Sequence, residues 1–226
     1  MSRVEPALQP RRFRLVIFDW DGTLADSTTI IAQSLQRACA DVGIAVPADR
    51  AALHVIGLGL SDALQQVAPD LPPERYPDLA LRYRTHYLAR DPDIPLFAGA
   101  IELLRDLRAA GYLLAVATGK TRKGLDRALA QQNAVELFHH TRCADEGQPK
   151  PHPDMLHRIM EHAGVTADET LMIGDTSHDV MLAQNAGVAA VAVSYGAHAA
   201  DDLRERHHVP IVHSIPELRE WLARNG

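Results

Sequence analysis

Cysteine is scarce in this chain. Cys39 and Cys143 are the two present, far apart and in no metal-type spacing, and the usage predicts a reduced, cytoplasmic setting. Long apolar runs are absent too. None approaches the roughly 18 to 20 residues needed to cross a bilayer, so no membrane partner is expected. The opening Met1–Pro10 has no long apolar core and reads as a disordered lead-in, with Arg11, Arg12 and Arg14 on the rim of the first strand. No Lys/Arg block occurs and the formal net charge is −6, so nothing in the charge balance favours nucleic acid. The twelve histidines contain no His-Glu-x-x-His pattern, and His157/His162, His139-His140 and His207-His208 fall outside i,i+4 spacing, which argues against a histidine metal site.

What the chain does have is apolar mass and punctuation. With 226 residues and 46% hydrophobic content, it can bury a sizeable core as one domain, with or without a smaller insert. The stretch around which it is organised is Leu15-Val16-Ile17-Phe18-Asp19-Trp20-Asp21-Gly22-Thr23. Leu15 to Phe18 reads as a strand buried on both faces. Paired carboxylates cannot follow inside a core, so Asp19 and Asp21 belong at the strand's carboxyl end, where open α/β sheets bind ligands. Residues two apart share a face if the strand geometry persists. Gly22 permits a tight turn, and Thr23 adds a hydroxyl and an amide. Taken singly, each acid could equally cap the next helix.

A helix is predicted from Asp26 or Ser27 to Asp41, stopped by Gly43. Residues 46 to 93 then break the strand and helix alternation. Ser61 is expected to cap a short helix ending near Val67, and Glu74 to Arg90 reads as a longer helix with Leu79, Tyr83 and Tyr87 on one side. Gly57-Leu58-Gly59-Leu60 reads as a flexible loop able to approach a small ligand. The pattern predicts a helical lobe over residues 27–93, with residues 1–26 and 94–226 as the core domain. Extra helices packed on one sheet face are the alternative.

From Pro95 onward the alternation is regular. Helices are predicted over Ala98–Ala109, Thr121–Gln132, Pro153–His162 and Val180–Asn185, and strands over Tyr112–Thr118, Phe138–Cys143, Thr170–Ile173, Val188–Val193 and Pro210–Val212. A last helix starts at Ser214 and Pro216. Such repeats require right-handed crossovers and give a doubly wound, Rossmann-like parallel sheet of the α/β class.

Four polar features fall at or just after strand ends: the Asp19/Asp21 pair, Thr118-Gly119, Lys150 in a proline-braced loop, and Asp175 with Asp179. Each alone is compatible with a cap or a solvated surface role. Jointly they bring carboxylates, a hydroxyl and an ammonium to one sheet edge, which suits phosphoryl transfer: attack by a carboxylate on a phosphate dianion needs a divalent cation and an ammonium to offset charge. Carboxylate oxygens suit magnesium.

The four features also resemble, in order, the four motifs of the haloacid dehalogenase superfamily: Asp19-Trp20-Asp21-Gly22-Thr23, the apolar strand ending in Thr118, Lys150 before proline, and Gly174-Asp175-x-x-x-Asp179. The resemblance implies that Asp19 is the nucleophile that becomes an aspartyl phosphate, and that Asp21 protonates the leaving oxygen and then activates water. It implies Mg2+ held by Asp19, the backbone carbonyl of Asp21, and Asp175, with Asp179 assisting directly or through its neighbours. Lys150 would neutralise nucleophile and phosphate, while Thr118, Gly119, Gly22 and Thr23 would bind phosphate. The insert would be the family's helical cap domain. Related dehalogenases lack the second acid, related phosphonate hydrolases carry a small residue there, and related sugar phosphate mutases carry a His about ten residues beyond it, where this chain has Ile31.

The expected activity is therefore Mg2+-dependent hydrolysis of a small phosphorylated metabolite. Chain length, insert position and the Ile56-Gly57-Leu58-Gly59-Leu60 segment resemble phosphoglycolate phosphatases. Inorganic pyrophosphate, sugar phosphates and nucleotides stay open, as does the choice between monomer and homodimer. A non-catalytic scaffold keeping the fold is the reading to be excluded.

Overall fold

The computed structural model describes Leu8 and residues 12–226, the side chains of residues 205–207 excepted. The expected lead-in, apart from Leu8, and Arg11 lie outside the described residues. β1 (Leu15–Phe18) runs down the middle of a six-stranded sheet ordered β3-β2-β1-β4-β5-β6. The others are β2 (Leu113–Thr118), β3 (His140–Cys143), β4 (Thr170–Gly174), β5 (Ala189–Val193) and β6 (Ile211–Val212). Every neighbouring pair is parallel. This is the doubly wound α/β sheet expected from the alternation, and the strand order reverses at β1.

The pleat of β1 explains how one short strand serves two cores. Val16 and Phe18 enter the larger apolar cluster, while Leu15 and Ile17 enter the cluster on the opposite face. Continuing that alternation, Trp20 packs in the first cluster, and Asp19 has the parity of Leu15 and Ile17. The first face is covered by α5 (Ala100–Ala109), α6 (Arg122–Gln131) and α10 (Ile215–Asn225), the second by α7 (Asp154–Ala163) and α8 (Ser177–Ala186).

Between β1 and α5 lie α1 (Thr28–Asp41), α2 (Asp49–His54), α3 (Leu60–Val67) and α4 (Tyr76–Leu88). They surround an apolar cluster of their own that includes Leu35, Val55, Leu64 and Leu79. The chain segments leading in and out of this block run side by side: Asp26 N–H donates to Pro95 O at 3.0 Å and Phe97 N–H to Leu24 O at 2.9 Å.

Several local expectations are corrected. Ser61 lies inside α3 rather than capping it, because Gly59 is the flanking residue. α2, and α9 over Ala200–His207, have no counterpart in the sequence reading. Residues 98 and 99 precede α5, whose N-cap Gly99 is left-handed at φ 85°. Ser214 caps α10 as its position suggested, accepting from Glu217 N–H, and Thr121, expected inside its helix, instead caps α6 and accepts from Gly124 N–H.

Candidate active site

The carboxyl ends of β1, β2 and β4 bring the four sequence features together. Asp19 follows β1 directly and is fully buried. Lys150, 131 positions later in sequence, donates from Nζ to Asp19 Oδ1 at 2.7 Å and to Asp179 Oδ1 at 2.6 Å. Asp179 sits in the first turn of α8, where its Oδ2 accepts from the Thr176 amide at 3.0 Å and the Thr176 hydroxyl at 2.7 Å. Both its oxygens are thus engaged. Asp175, just past β4, accepts from the Thr23 hydroxyl at 2.8 Å and the Ala197 amide at 2.7 Å.

One carboxylate oxygen from each of Asp19, Asp175 and Asp179 lies within 4.8 Å of the others. Three buried acids lie together with one buried ammonium, which bonds two of them, an arrangement that leaves negative charge uncompensated in a low-dielectric site. Its effects are visible in the ionisation of the group. Burial, opposed by Lys150 and reinforced by Asp179, raises Asp19 from its ordinary 3.8 to about 7. Burial and the Asp19 charge also hold Asp175 well above the usual carboxylate range. Burial acts the same way on Asp179, but the Lys150 charge together with the hydrogen bonds from Lys150 and Thr176 outweighs it and the net shift is downward. For Lys150, burial opposes the charge and the two carboxylates overcome it, raising its affinity for the proton.

Asp19 Oδ2 is buried with no hydrogen-bond partner. An orphaned carboxylate oxygen beside two further acids fits a bound cation, and hard oxygen donors suit one of the magnesium type. The cluster can therefore hold a metal ion.

The second acid is placed differently. Asp21 accepts from Ser27 Oγ at 2.8 Å, and from Lys120 Nζ at 2.9 Å on Oδ1 and 3.0 Å on Oδ2. Lys120 also donates to the Tyr87 hydroxyl of α4 at 2.8 Å, so the helical block and the acid share one ammonium. Gly22 turns the chain at φ +85°, and a Cβ there would lie 2.2 Å from Asp175 Oδ2. The position therefore needs glycine for both backbone and space. Its N–H donates to Ala25 O, and the Thr23 hydroxyl faces Asp175, so in this arrangement the pair frames the loop and holds Asp175. Thr118 and Gly119 instead line a cavity of about 510 Å³ together with Asp19 and Asp21. That cavity lies against the helical block, and the Gly57-Leu58-Gly59-Leu60 loop forms part of its wall.

Sequence reasoning missed Lys120, Ser27, Tyr87 and the turn after β5 that carries Ala197. It also missed a second link to the helical block. His178 and His198, both buried, bring Nε2 to the His54 carbonyl at 2.9 and 3.1 Å. Since His198 Nδ1 accepts from Ser177 N–H at 3.1 Å, its Nε2 is the protonated nitrogen. Burial keeps that ring neutral, lowering its pKa to about 4.

Fold and site together define an α/β enzyme with carboxylates and a lysine gathered at a switch point in strand order. A family model described as haloacid dehalogenase-like hydrolase matches residues 16–193, and the chain belongs to that family. It is 35% identical over 210 residues to the probable phosphatase IndB of Dickeya dadantii, covering 90% of this chain and 91% of the relative. It is 31% identical over 214 residues to a phosphoglycolate phosphatase of Aliivibrio fischeri, covering 91% of each. A crystal structure of a hydrolase from Pseudomonas syringae has the same fold, with a TM-score of 0.85 at 22% identity over 95% of this chain and 99% of the other.

Proposed function

We propose that the protein is a magnesium-dependent phosphatase that hydrolyses a small phosphorylated metabolite through an aspartyl phosphate at Asp19. The observation that carries this reading is the pairing of Asp19 with Lys150 beside an unpartnered Asp19 oxygen and the Asp175 carboxylate. The family membership and the relatives named as phosphatases support it.

Asp19 attacks phosphorus while the bond to the leaving oxygen breaks, and Asp21 supplies the proton that oxygen takes. Water then attacks phosphorus, yields a proton to Asp21, and frees phosphate and the Asp19 carboxylate. Lys150 offsets the charge of Asp19 and of the incoming phosphate, and Asp179, with both oxygens engaged, orients Lys150. Thr118 and the Gly119 amide bind phosphate oxygens, and Gly22 and Thr23 shape the loop after β1 and hold Asp175. Asp19, the Asp21 carbonyl and Asp175 would hold Mg2+, with Asp179 beside them, and the ion would supply electrophilic stabilisation of the phosphoryl group.

The block over residues 27–93 acts as a cap on the core formed by residues 1–26 and 94–226, its own apolar cluster and its two adjacent connecting segments supporting a unit that moves as a body. Phosphoglycolate is the reference substrate suggested by the named relatives. Among the described residues no helix is long and apolar enough to cross a membrane, and both cysteines are buried and free. The free cysteines support a reducing, cytoplasmic setting.

Turnover of p-nitrophenyl phosphate that requires added Mg2+ tests the reading. Folded protein without turnover would favour a non-catalytic scaffold.

A further inference from the structure

The cavity beside Asp19 and Asp21 does not match a two-carbon acid. Its volume is about 510 Å³, within the range of about 300–1,000 Å³ that takes whole drug-sized ligands. Much of the wall beyond the Asp19/Asp21 floor is apolar, with Ile31 and Leu35 from α1, Val55 and Leu58 around the glycine loop, and Tyr83 and Tyr87 from α4, although Thr118, Thr121 and Asp145 also line it. The two tyrosine rings stack at 5.8 Å between centroids, so one wall is a broad aromatic surface.

Two of the cations lining this space are already paired with acids. Lys120 is bound to Asp21 and Arg127 to Asp91. Arg84 and Lys123, also on the lining, are exposed to solvent. A carboxylate on a leaving group too short to reach Arg84 or Lys123 would sit among aliphatic and aromatic side chains, which is unfavourable. An apolar group there would exchange water for carbon contacts, which is favourable.

We propose that the natural substrate is a phosphomonoester whose leaving group is an uncharged apolar chain or ring, seated between α1, the Gly57–Gly59 loop and α4. This rests on the phosphatase reading, and goes beyond it in naming the class of alcohol released.

Ethyl, hexyl and 2-phenylethyl phosphate test it well, because their leaving alcohols are alike in acidity and differ in apolar bulk. In the Mg2+-loaded protein, kcat/KM should rise by about tenfold or more from ethyl to hexyl, with 2-phenylethyl at least equal to hexyl and phosphoglycolate below both. Leu35→Asn, with the half-buried Ile31→Asn as the second variant should the first fail to fold, should reduce the hexyl-to-ethyl ratio severalfold. Calorimetric binding of ethylphosphonate and hexylphosphonate supplies a readout independent of turnover, with hexylphosphonate the tighter. A flat series, or phosphoglycolate as the best substrate, would overturn the inference and leave the phosphatase reading standing. A chain-length preference in binding without turnover of any ester would overturn the phosphatase reading instead.

Discussion

Asp19→Asn should make the metal-free protein more stable while abolishing turnover. Asp19 is fully buried, its Oδ2 has no partner, and it ionises at about 7 instead of 3.8. A raised carboxylate pKa means that the folded chain holds the proton more tightly than the unfolded one. The stability so gained is complete below about 3.8 and disappears as pH rises through about 7. At about 1.36 kcal/mol per pH unit, the ionised side chain opposes folding by up to about 4 kcal/mol at pH 8. Asparagine, neutral at every pH, still offers an oxygen to Lys150 and relieves Asp175 of a neighbouring charge. The gain expected at pH 8 in EDTA is about 2–4 kcal/mol, and at roughly 2–4 °C per kcal/mol for a chain of this size, Tm should rise by several degrees. At pH 4 the difference should largely vanish. Added Mg2+ should raise the wild-type Tm at pH 8 more than the variant's, because ligand binding to the folded state stabilises it. Thermal unfolding of both proteins at the two pH values, with and without Mg2+, checks this. A variant less stable than wild type at pH 8, or a difference independent of pH, would refute the reasoning.

Lys150→Met removes the one ammonium shared by buried Asp19 and Asp179, and should lower stability at pH 8 by about 3–5 kcal/mol in denaturant titrations; an unchanged midpoint would contradict the geometry. Gly119→Ala would put a Cβ 2.4 Å from Leu58 O and 2.6 Å from Gly57 O. Backbone carbonyls cannot swing aside, so the loop must shift, with about 1–3 kcal/mol lost and kcat/KM reduced; retention of both would show that the loop sits elsewhere in solution. Lys120→Met leaves Asp21 with Ser27 alone and should reduce kcat by about tenfold or more, whereas wild-type kinetics would dismiss Lys120 as a contributor.

The core was legible because its signals are local. Leu15–Phe18 is continuously apolar and ends in two acids, and the regular alternation from β2 onward leaves few topologies. α2 and α9 escaped for want of a stripe: α2 buries Ala52 alone among its six residues, and α9 is rich in charge with Leu203 as its anchor in the core. The motif residues Asp19, Thr118, Lys150 and Asp175 were readable because strand ends on one edge must converge. Lys120 was not. A lysine is ordinarily solvated, and nothing near it in sequence announces that its ammonium reaches an aspartate 99 positions earlier. The same holds for Ala197, whose backbone amide carries no side-chain signature, and for His178 and His198, which meet a carbonyl of a helix the sequence did not reveal.

In the proposed mechanism Asp19 is the nucleophile. Borohydride added to the protein during steady-state turnover with Mg2+ reduces an aspartyl phosphate to homoserine, and peptide mass spectrometry then locates it. Homoserine at position 19 is the predicted result; turnover with position 19 unmodified, or homoserine at another aspartate, would contradict it.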